Sequence, residues 1–400
     1  MPTEALTSGR GIGRIESGLS TVAVGLAGDT SAAGEDMRPV DIHDELGKRV
    51  IGQQEALRYV SVAIFKHLQG EKYGNLLLIG NSGTGKTTIM RGIEALYAAY
   101  EELAEYRVVL IMNANTLATE DGAVDTSRLF SRLEERVRQV LGAGAPAEQI
   151  GRLMERATIC LDEIDKVSGL MGGKPYVTGI NIQQAVLTLI EGERVPYRIV
   201  APAEDGGETR TSNVWVDTGK MLFLCAGAFE SLYDQVFARV VSPKSGTKLP
   251  TTTTFVDGKV QIREYFTLRH HFRQEDLFEY GMQPQFLSRF DNAVILEDLN
   301  AGLLSRIFAE PEDGVLRTSQ NFFRKYGIEL EVTEQAVQKI AEEASKSSRI
   351  GARALKSVYG RIIKPFEFDP FSRPEVQPNG AGHRLVIDEG LVATSLRPLV

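Results

Sequence analysis

Cysteine is nearly absent from this sequence, with only Cys160 and Cys225 among its 400 residues. Both lie inside apolar runs, where cysteine behaves as a small buried hydrophobe. Two such residues cannot build a disulfide framework or a four-cysteine zinc site. This scarcity is typical of proteins in a reducing compartment, and we expect the chain in the cytoplasm.

Long apolar runs and an excess of positive charge are also missing. No stretch of about 18 uninterrupted apolar residues occurs, so no membrane-spanning helix is predicted. The N-terminus lacks the basic segment and apolar core of a secretory signal. The formal net charge is −8, so the chain has no global basic field for binding a nucleic-acid backbone. We therefore expect neither a membrane nor a nucleic acid as a partner.

The first 41 residues are rich in Gly, Ser, Thr and Ala and show no sustained helical or strand periodicity, although 21–26 is a short strand-like patch that could order against a partner. A segment of this composition buries too little apolar surface to offset the entropy lost on ordering. Residues 1–41 are therefore predicted to form a flexible tail.

From residue 42 onward, short apolar runs alternate with segments of helical spacing. The runs predicted as buried strands are 73–79, 107–112, 157–161, 221–226 and 293–296. Helices are predicted at 41–46, 53–67, 86–100 and 126–141. This alternation predicts an α/β fold, in which a parallel sheet carries helices on both faces.

After about residue 300 the pattern becomes mainly helical. Helices are predicted at 303–309, 315–326, 334–345 and 352–366, with a single strand-like run at 384–387. Such a change of pattern indicates a second, smaller domain. We expect a large domain at 42–300 and a small C-terminal lid domain at 301–400.

The strongest motif runs from Gly80 to Thr87 and matches G-x-x-x-x-G-K-[ST] between a predicted strand and a predicted helix. Glycines there let backbone N–H groups curl around phosphate oxygens, and the helix N-terminus adds partial positive charge. Lys86 is expected at the β- and γ-phosphates of ATP, and the Thr87 hydroxyl at Mg²⁺. The residues predicted to bind the nucleotide here are Ser82, Gly83, Thr84, Gly85, Lys86, Thr87 and Thr88.

Two acidic residues, Asp162 and Glu163, directly follow the predicted strand 157–161. The carboxyl edge of a parallel sheet lies beside such a phosphate loop. Asp162 is predicted to hold Mg²⁺ and Glu163 to polarise the attacking water. A base at this position predicts hydrolysis of ATP, since binding alone does not require one.

Two arginines have more than one interpretation. Arg289, just before the last predicted strand of the sheet, is either a surface charge or a group that reaches a neighbouring subunit's γ-phosphate in a ring. Arg353 begins a helix of the second domain and is a candidate contact to the phosphates of its own subunit. The residues alone leave both roles open.

Six motifs in this order resemble the ClpX family of AAA+ unfoldases, and the HslU unfoldases less closely. They are Val50-Ile51-Gly52-Gln53, the phosphate loop, 161–166, 183–185 with 189–192, 225–229 and 351–355. The resemblance extends from about residue 41 to the C-terminus. It implies that Val50 and Ile51 flank adenine, that Arg289 is a trans-acting arginine finger, and that Arg353 senses the nucleotide from the lid. It also implies a hexameric ring that uses Mg-ATP to pull polypeptides through a central pore.

Several departures from the family concern the surfaces that meet other proteins. The family's Gly-Tyr-Val-Gly pore loop corresponds to 120–125, where Ala123 replaces the tyrosine and Asp125 the closing glycine. An alanine methyl offers a small fraction of a tyrosine's contact area, so grip on a threaded chain should be weak unless Val124 substitutes. The family's N-terminal zinc-binding module has no counterpart in residues 1–41.

The family's peptidase-docking tripeptide, Ile-Gly-Phe, does not occur anywhere in the chain. Its place is taken by 240–272, so docking to a ClpP-type peptidase is doubtful. Within this region Arg269, His270 and His271 form either a substrate-facing basic cluster or a solvated loop.

We therefore predict a ClpX-like homohexameric ATPase that remodels a protein substrate without obligatory proteolysis. A conventional unfoldase that feeds a peptidase is the alternative. A nucleic-acid motor and a noncatalytic ATP-dependent scaffold are the remaining options.

Overall fold

A computed structural model describes most of the chain from residue 37 onward. The described residues are 37–71, 74–142, 144–202, 209–242, 249, 251–256, 259–264, 266–347, 350–380 and 382–397. Most of the predicted tail thus lies outside the described residues. The first helix begins at Pro39, so the last three residues of the predicted tail belong to a helix.

The helices and strands before residue 300 alternate along the chain. In order they are α1 Pro39–Gly47, α2 Gln54–Leu68, β1 Leu76–Ile79, α3 Lys86–Ala99, β2 Val109–Asn113, α4 Ser127–Leu141, α5 Ala147–Glu155, β3 Thr158–Asp162, β4 Leu170–Met171, β5 Lys174–Pro175, α6 Val177–Glu191, β6 Arg194–Pro202, β7 Thr209–Asp217, β8 Leu222–Gly227, α7 Glu230–Val241, β9 Thr251–Val256, β10 Lys259–Glu264, α8 Leu268–His271, α9 Gln274–Tyr280, α10 Pro284–Leu287 and β11 Asn292–Ile295.

Five of these strands form one parallel sheet, in the order β11-β1-β8-β3-β2. The five apolar runs of the sequence correspond to these strands, with bounds shifted by one to three residues. Both faces of the sheet are covered, because Leu77 and Ile79 pack into a core with α4 to α7, while Leu76 and Leu78 pack into a second core with α1 to α3. The predicted α/β fold is confirmed.

Parallel strands place all their carboxyl ends at one edge of the sheet. At that edge β1 leads into the phosphate loop, β2 ends at Asn113 and β3 ends at Asp162. The segment after β11 stays with this edge, because the N–H of Leu296 donates to the carbonyl of Ile79 at 2.7 Å. The topology of the sheet therefore brings the phosphate loop, Asn113 and Asp162 to the same edge.

The residues after 300 surround a third apolar core, which begins at Leu299 and includes Val392. Their elements are α11 Ala301–Ala309, α12 Val315–Arg324, β12 Ile328–Val332, α13 Glu334–Ser345, α14 Arg353–Phe368, β13 Val376–Asn379, β14 Gly382–Ile387 and α15 Glu389–Ser395. We call this part the lid. The four predicted helices are present, but the expectation of a single strand was wrong, because β14 pairs in parallel with β12 and antiparallel with β13.

Three antiparallel hairpins lie in the described connections of the main sheet and were not predicted. The shortest pairs β4 with β5. β6 pairs with β7 over nine residues each, and β9 pairs with β10. The hairpin of β9 and β10 lies within 240–272, the region that we expect in place of the family's docking loop. None of the helices in the described part of the chain is both long and apolar enough to cross a membrane.

Candidate active site

The phosphate loop leaves β1 and ends where α3 begins at Lys86. Gly83 and Gly85 have φ values of +75° and +107°, which only glycine adopts without strain. Glycine at these positions lets the loop curl back so that its N–H groups converge with the N-terminus of α3. This is the arrangement that binds phosphate.

Lys86 is almost buried, with 8% of its surface exposed. Its Nζ donates to the carbonyl oxygens of Gly80 at 2.5 Å and Asn81 at 2.9 Å. Burial lowers the pKa of this ammonium group, while the charges of Asp162 and Asp165 act in the opposite direction. The lysine is therefore held over its own loop, at the position where phosphate oxygens can replace the carbonyls.

Thr87 and Asp162 meet across the cleft between α3 and β3. The Thr87 hydroxyl donates to Oδ2 of Asp162 at 3.1 Å. Hydroxyl and carboxylate oxygens are the ligands that Mg²⁺ prefers, and it normally completes its shell with phosphate oxygens and water. The two side chains thus fit a magnesium ion that also binds a nucleotide.

Glu163 has an unusual backbone, with φ at +56°, a region that non-glycine residues seldom adopt. Its N–H donates to Oδ1 of Asp162 at 2.9 Å, and its Oε2 accepts from Nδ2 of Asn113 at 3.2 Å. The two acidic neighbours thus have different partners. The carboxylate of Asp162 accepts a hydrogen bond from Thr87, and that of Glu163 accepts one from Asn113 at the end of β2.

A cavity of about 790 Å³ lies against the phosphate loop and extends under the lid. Its lining includes every predicted nucleotide, metal and base residue: Val50, Ile51, Ser82, Gly83, Thr84, Gly85, Lys86, Thr87, Thr88, Asp162, Glu163 and Arg353. Residues as far apart in the sequence as Val50 and Arg353 are thus brought together around one space of a size suited to a small-molecule ligand.

The lid contacts the phosphate loop through its helix α14. Nη1 of Arg353 donates to Oγ of Ser82 at 2.8 Å, and the N–H of Ala352 donates to the carbonyl of Gly83 at 3.0 Å. The approach is so close that a Cβ on Gly351 would lie 2.8 Å from the carbonyl oxygen of Ser82. The arginine predicted to sense phosphate therefore lies directly on the loop that would hold it.

Arg289 is the one predicted site residue that does not line this cavity. Its Nε donates to Oε1 of Glu191 at 2.9 Å, and Nη2 contacts the same oxygen. Both side chains are a little under half exposed. Within a single subunit, Arg289 thus lies on the surface, paired with the end of α6.

Three polar residues at the site were not assigned a role from the sequence. Asn113 directly follows the predicted strand 107–112, so its place at the carboxyl edge was predictable in principle. Gln53 bonds to the phosphate loop, and Asn81 donates to Asp298 at 3.0 Å. The partners of these two residues are far apart in sequence, and no local pattern indicates them.

The AAA domain model (Cdc48 subfamily) matches residues 71–293, more than half of the chain. The chain belongs to the AAA domain family. Curated relatives of this AAA protein include three bacterial proteins, each named ATP-dependent Clp protease ATP-binding subunit ClpX, one of them as ClpX 2.

The matches to these relatives span most of this chain and most of each relative. That of Porphyromonas gingivalis is 27% identical over 382 residues, which are 90% of this chain and 83% of the relative. That of Azotobacter vinelandii is 27% identical over 361 residues, or 85% and 76%. ClpX 2 of Wolinella succinogenes is 28% identical over 355 residues, or 85% and 79%. The resemblance to the ClpX family is confirmed, and the chain is a ClpX-like AAA+ ATPase.

The segment 119–125, which we expect to correspond to the aromatic pore loop, forms a tight turn. The N–H of Thr119 donates to the carbonyl of Ala123 at 2.8 Å, and Gly122 has a φ of +81°. Val124 is only half-exposed, because it forms an isolated bridge with Ala118 and packs against the core. The exposed side chain at the aromatic position is the methyl group of Ala123.

The candidate basic cluster at 269–271 is engaged within the subunit. Arg269 donates to Glu297 at 3.0 Å and also pairs with Glu55. The ring of His271 stacks on Phe266 with centroids 5.3 Å apart. These contacts favour a structural role for this segment over a basic surface that faces substrate.

Proposed function

We propose that this ClpX-like ATPase forms a homohexameric ring. In it, Mg-ATP hydrolysis drives unfolding or remodelling of a protein partner in the cytoplasm, without obligatory docking to a ClpP-type peptidase. The observation that carries the proposal is the cavity that joins the phosphate loop, Asp162, Glu163 and Arg353. The division into a large domain at 42–300 and a lid domain at 301–400 is part of the same proposal.

The residues of one subunit have distinct tasks in this scheme. Val50 and Ile51 flank the adenine, while residues 82–88 surround the phosphates. Lys86 exchanges its carbonyl partners for phosphate oxygens, and Glu163 accepts a proton from the attacking water. When bound between Thr87 and Asp162, Mg²⁺ would neutralise charge on the β- and γ-phosphates.

The two arginines act from outside the loop. Arg353 exchanges Ser82 for the γ-phosphate, so that the lid responds to the nucleotide. Arg289 exchanges Glu191 for the γ-phosphate of a neighbouring subunit. Its exposed side chain, which does not line the cavity of its own subunit, supports a role in trans, which requires a ring.

The proposed independence from a peptidase rests on two segments that meet other proteins in the ClpX family, the peptidase-docking loop and the pore loop. The chain has no Ile-Gly-Phe tripeptide, and Ala123 gives the pore segment little area for gripping a chain. The cavity contains all the predicted nucleotide, metal and base residues, so we infer that the divergence mainly affects what the ATPase acts on.

The substitution Glu163→Gln tests the assignment of the base and provides a means to find the partner. The variant should bind ATP with an affinity within about threefold of the unsubstituted protein and lose at least about a hundredfold in turnover. Exposed Glu148→Gln on α5 is the matched control and should change neither quantity. Unchanged phosphate release by Glu163→Gln would reject the assignment. Proteins that the variant retains in ATP, but not in ADP, are the candidate substrates.

A second candidate function is that of a conventional protease subunit, because the relatives are named ATP-binding subunits of an ATP-dependent protease. Under this alternative, a ClpP-type peptidase added with ATP would degrade a tagged folded protein. The proposal made here predicts no degradation above the level seen with peptidase alone.

A further inference from the structure

The motif Val50-Ile51-Gly52-Gln53 contains a residue whose role the nucleotide site does not explain. Gln53, at the start of α2, is 1% exposed. Its Nε2 donates to the carbonyl of Thr84 at 3.0 Å and to the carbonyl of Glu297 at 2.9 Å. Its Oε1 accepts from the N–H of Glu297 at 2.9 Å. Both ends of the amide are thus satisfied by backbone.

The two backbone partners of Gln53 belong to different parts of the structure. Thr84 lies in the phosphate loop. Glu297 lies in the segment 296–300, which connects β11 of the sheet to α11 of the lid. One buried side chain therefore joins the loop that holds the nucleotide to the chain that leads into the lid.

Two neighbouring contacts also join the region of the phosphate loop to the segment that leads into the lid. Nδ2 of Asn81 donates to Oδ1 of Asp298 at 3.0 Å, so a second phosphate-loop residue is joined to the connecting segment. A Cβ on Gly52 would lie 2.7 Å from Leu303, in the first turns of α11. The motif that carries Gln53 is thus packed directly against the start of the lid.

We propose that Gln53 is a positioning residue that couples the phosphate loop to the connecting segment, so that nucleotide binding in the loop sets the position of the lid. This inference rests on the proposed function, because it takes the cavity to be the ATP site. Only an amide serves here, because the two carbonyls require two donors and the Glu297 N–H requires an acceptor. Glutamate at this position would direct carboxylate oxygen at both carbonyls.

The coupling is measurable as a change in the distance between the lid and the large domain. Cysteines introduced at exposed Glu102 and Glu342 carry a donor and an acceptor dye, since the native Cys160 and Cys225 are buried. We compare energy transfer in the absence of nucleotide, with ATP and with ADP in the full chain, and measure affinity with a fluorescent ATP analogue. The variants are Gln53→Met and Gln53→Glu, and exposed Gln54→Met is the matched control.

The unsubstituted protein and Gln54→Met should show the same nucleotide-dependent change in energy transfer. In Gln53→Met the nucleotide-dependent change in energy transfer should be less than about a third of that in the unsubstituted protein. The affinity for the analogue and the KM for ATP should stay within about threefold of the unsubstituted values, while kcat should fall. Gln53→Glu should behave likewise. A full change in Gln53→Met would overturn the proposal. So would loss of analogue binding, because Gln53 would then only shape the phosphate loop.

If Gln53→Met does not fold, the exposed Asp298→Ala variant tests the second link of the same coupling. It should reduce the change in energy transfer by about half, and an unaltered change would count against the proposal. The two proposals fail in different ways. If the unsubstituted protein binds and hydrolyses ATP but shows no nucleotide-dependent change in energy transfer, the proposed coupling is rejected and the proposed ATPase function is not. If it neither binds nor hydrolyses ATP, the proposed function itself is rejected.

Discussion

The side-chain amide of Asn113 donates a hydrogen bond to Oε2 of Glu163 at 3.2 Å. The two residues lie at the carboxyl ends of neighbouring strands, since Asn113 is paired in register with Asp162. The bond restrains a carboxylate whose backbone is already in an unusual conformation, with φ at +56°. A base that must meet a water in one orientation benefits from such a restraint.

We expect Asn113→Ala to lower kcat for ATP hydrolysis by about tenfold, which is the usual scale for a hydrogen bond to a charged group. The KM for ATP should stay within about threefold, because Asn113 is not among the residues that line the cavity. Steady-state phosphate release measures both parameters. The exposed Asn115→Ala variant, two residues further on, is the control. Faster hydrolysis by Asn113→Ala would show that the bond instead holds Glu163 away from water.

The contact between Gly351 and the phosphate loop gives a second prediction. A methyl group at Gly351 would lie 2.8 Å from backbone atoms of Ser82 and Gly83, and the residue has a φ of +56°. We expect Gly351→Ala to lower the affinity for ATP by at least about tenfold, because the lid must withdraw from the loop. Titration of a fluorescent ATP analogue measures the change.

Gly327→Ala is the matched control, because its φ is +68° and a Cβ there would meet nothing within 4 Å. Both variants should lose about 1–2 kcal/mol of unfolding free energy from the left-handed backbone. Only Gly351→Ala should lose affinity. Equal affinities would mean that the lid does not need to approach the loop for ATP to bind.

The central strands of the main sheet, β1, β3 and β8, were predictable because they are buried on both faces and read as continuous apolar runs. The hairpin of β6 and β7 was not, since among its residues of described burial only Ile199, Ala201 and Val216 are buried, and these do not form a run. In the lid, β12 alternates buried and exposed residues over only five positions, and β14 provides its partner more than 50 residues later. Such pairings depend on tertiary packing that a local pattern does not contain.

The residues of the nucleotide cavity were predictable for a different reason. Phosphate loops and acidic strand ends have short local signatures, so Lys86, Thr87, Asp162 and Glu163 could be chosen from the sequence. Gln53 could not, because its amide bonds to Glu297, 244 positions away. A buried amide that satisfies distant backbone groups leaves no periodic signal.

The surface position of Arg289 leads to a third prediction. Arg289→Ala should lower kcat by at least about a hundredfold, since arginine fingers contribute about 10³–10⁵ to turnover. Affinity for ATP should stay within about threefold, because the residue does not line its own cavity. Arg306→Ala removes an exposed arginine from an ion pair with Glu310 and is the control.

Mixing separates a role in trans from a role within the subunit. In the proposed ring, Lys86→Ala subunits should fail to bind ATP productively but retain Arg289. Mixed rings should therefore regain part of the activity that both variants lack alone. If no mixing ratio restores phosphate release, Arg289 does not act on a neighbour, and its pair with Glu191 is a structural contact.

The pore segment provides the last prediction, which concerns what the ATPase acts on. Ala123 is exposed in the turn, whereas Val124 is packed against the core. A single substitution would therefore restore an aromatic ring at the position that the proposed function places against a threaded chain. We expect Ala123→Tyr to increase the rate of ATP-dependent unfolding of a tagged fluorescent protein by about threefold or more, because the ring adds roughly 1–3 kcal/mol of apolar contact.

Glu120→Tyr, exposed in the same segment, controls for the general effect of an added ring. Basal ATP hydrolysis should not change in either variant. If Ala123→Tyr unfolds the substrate no faster than Glu120→Tyr, the turn at 119–125 does not grip a moving chain, and remodelling must proceed through another surface.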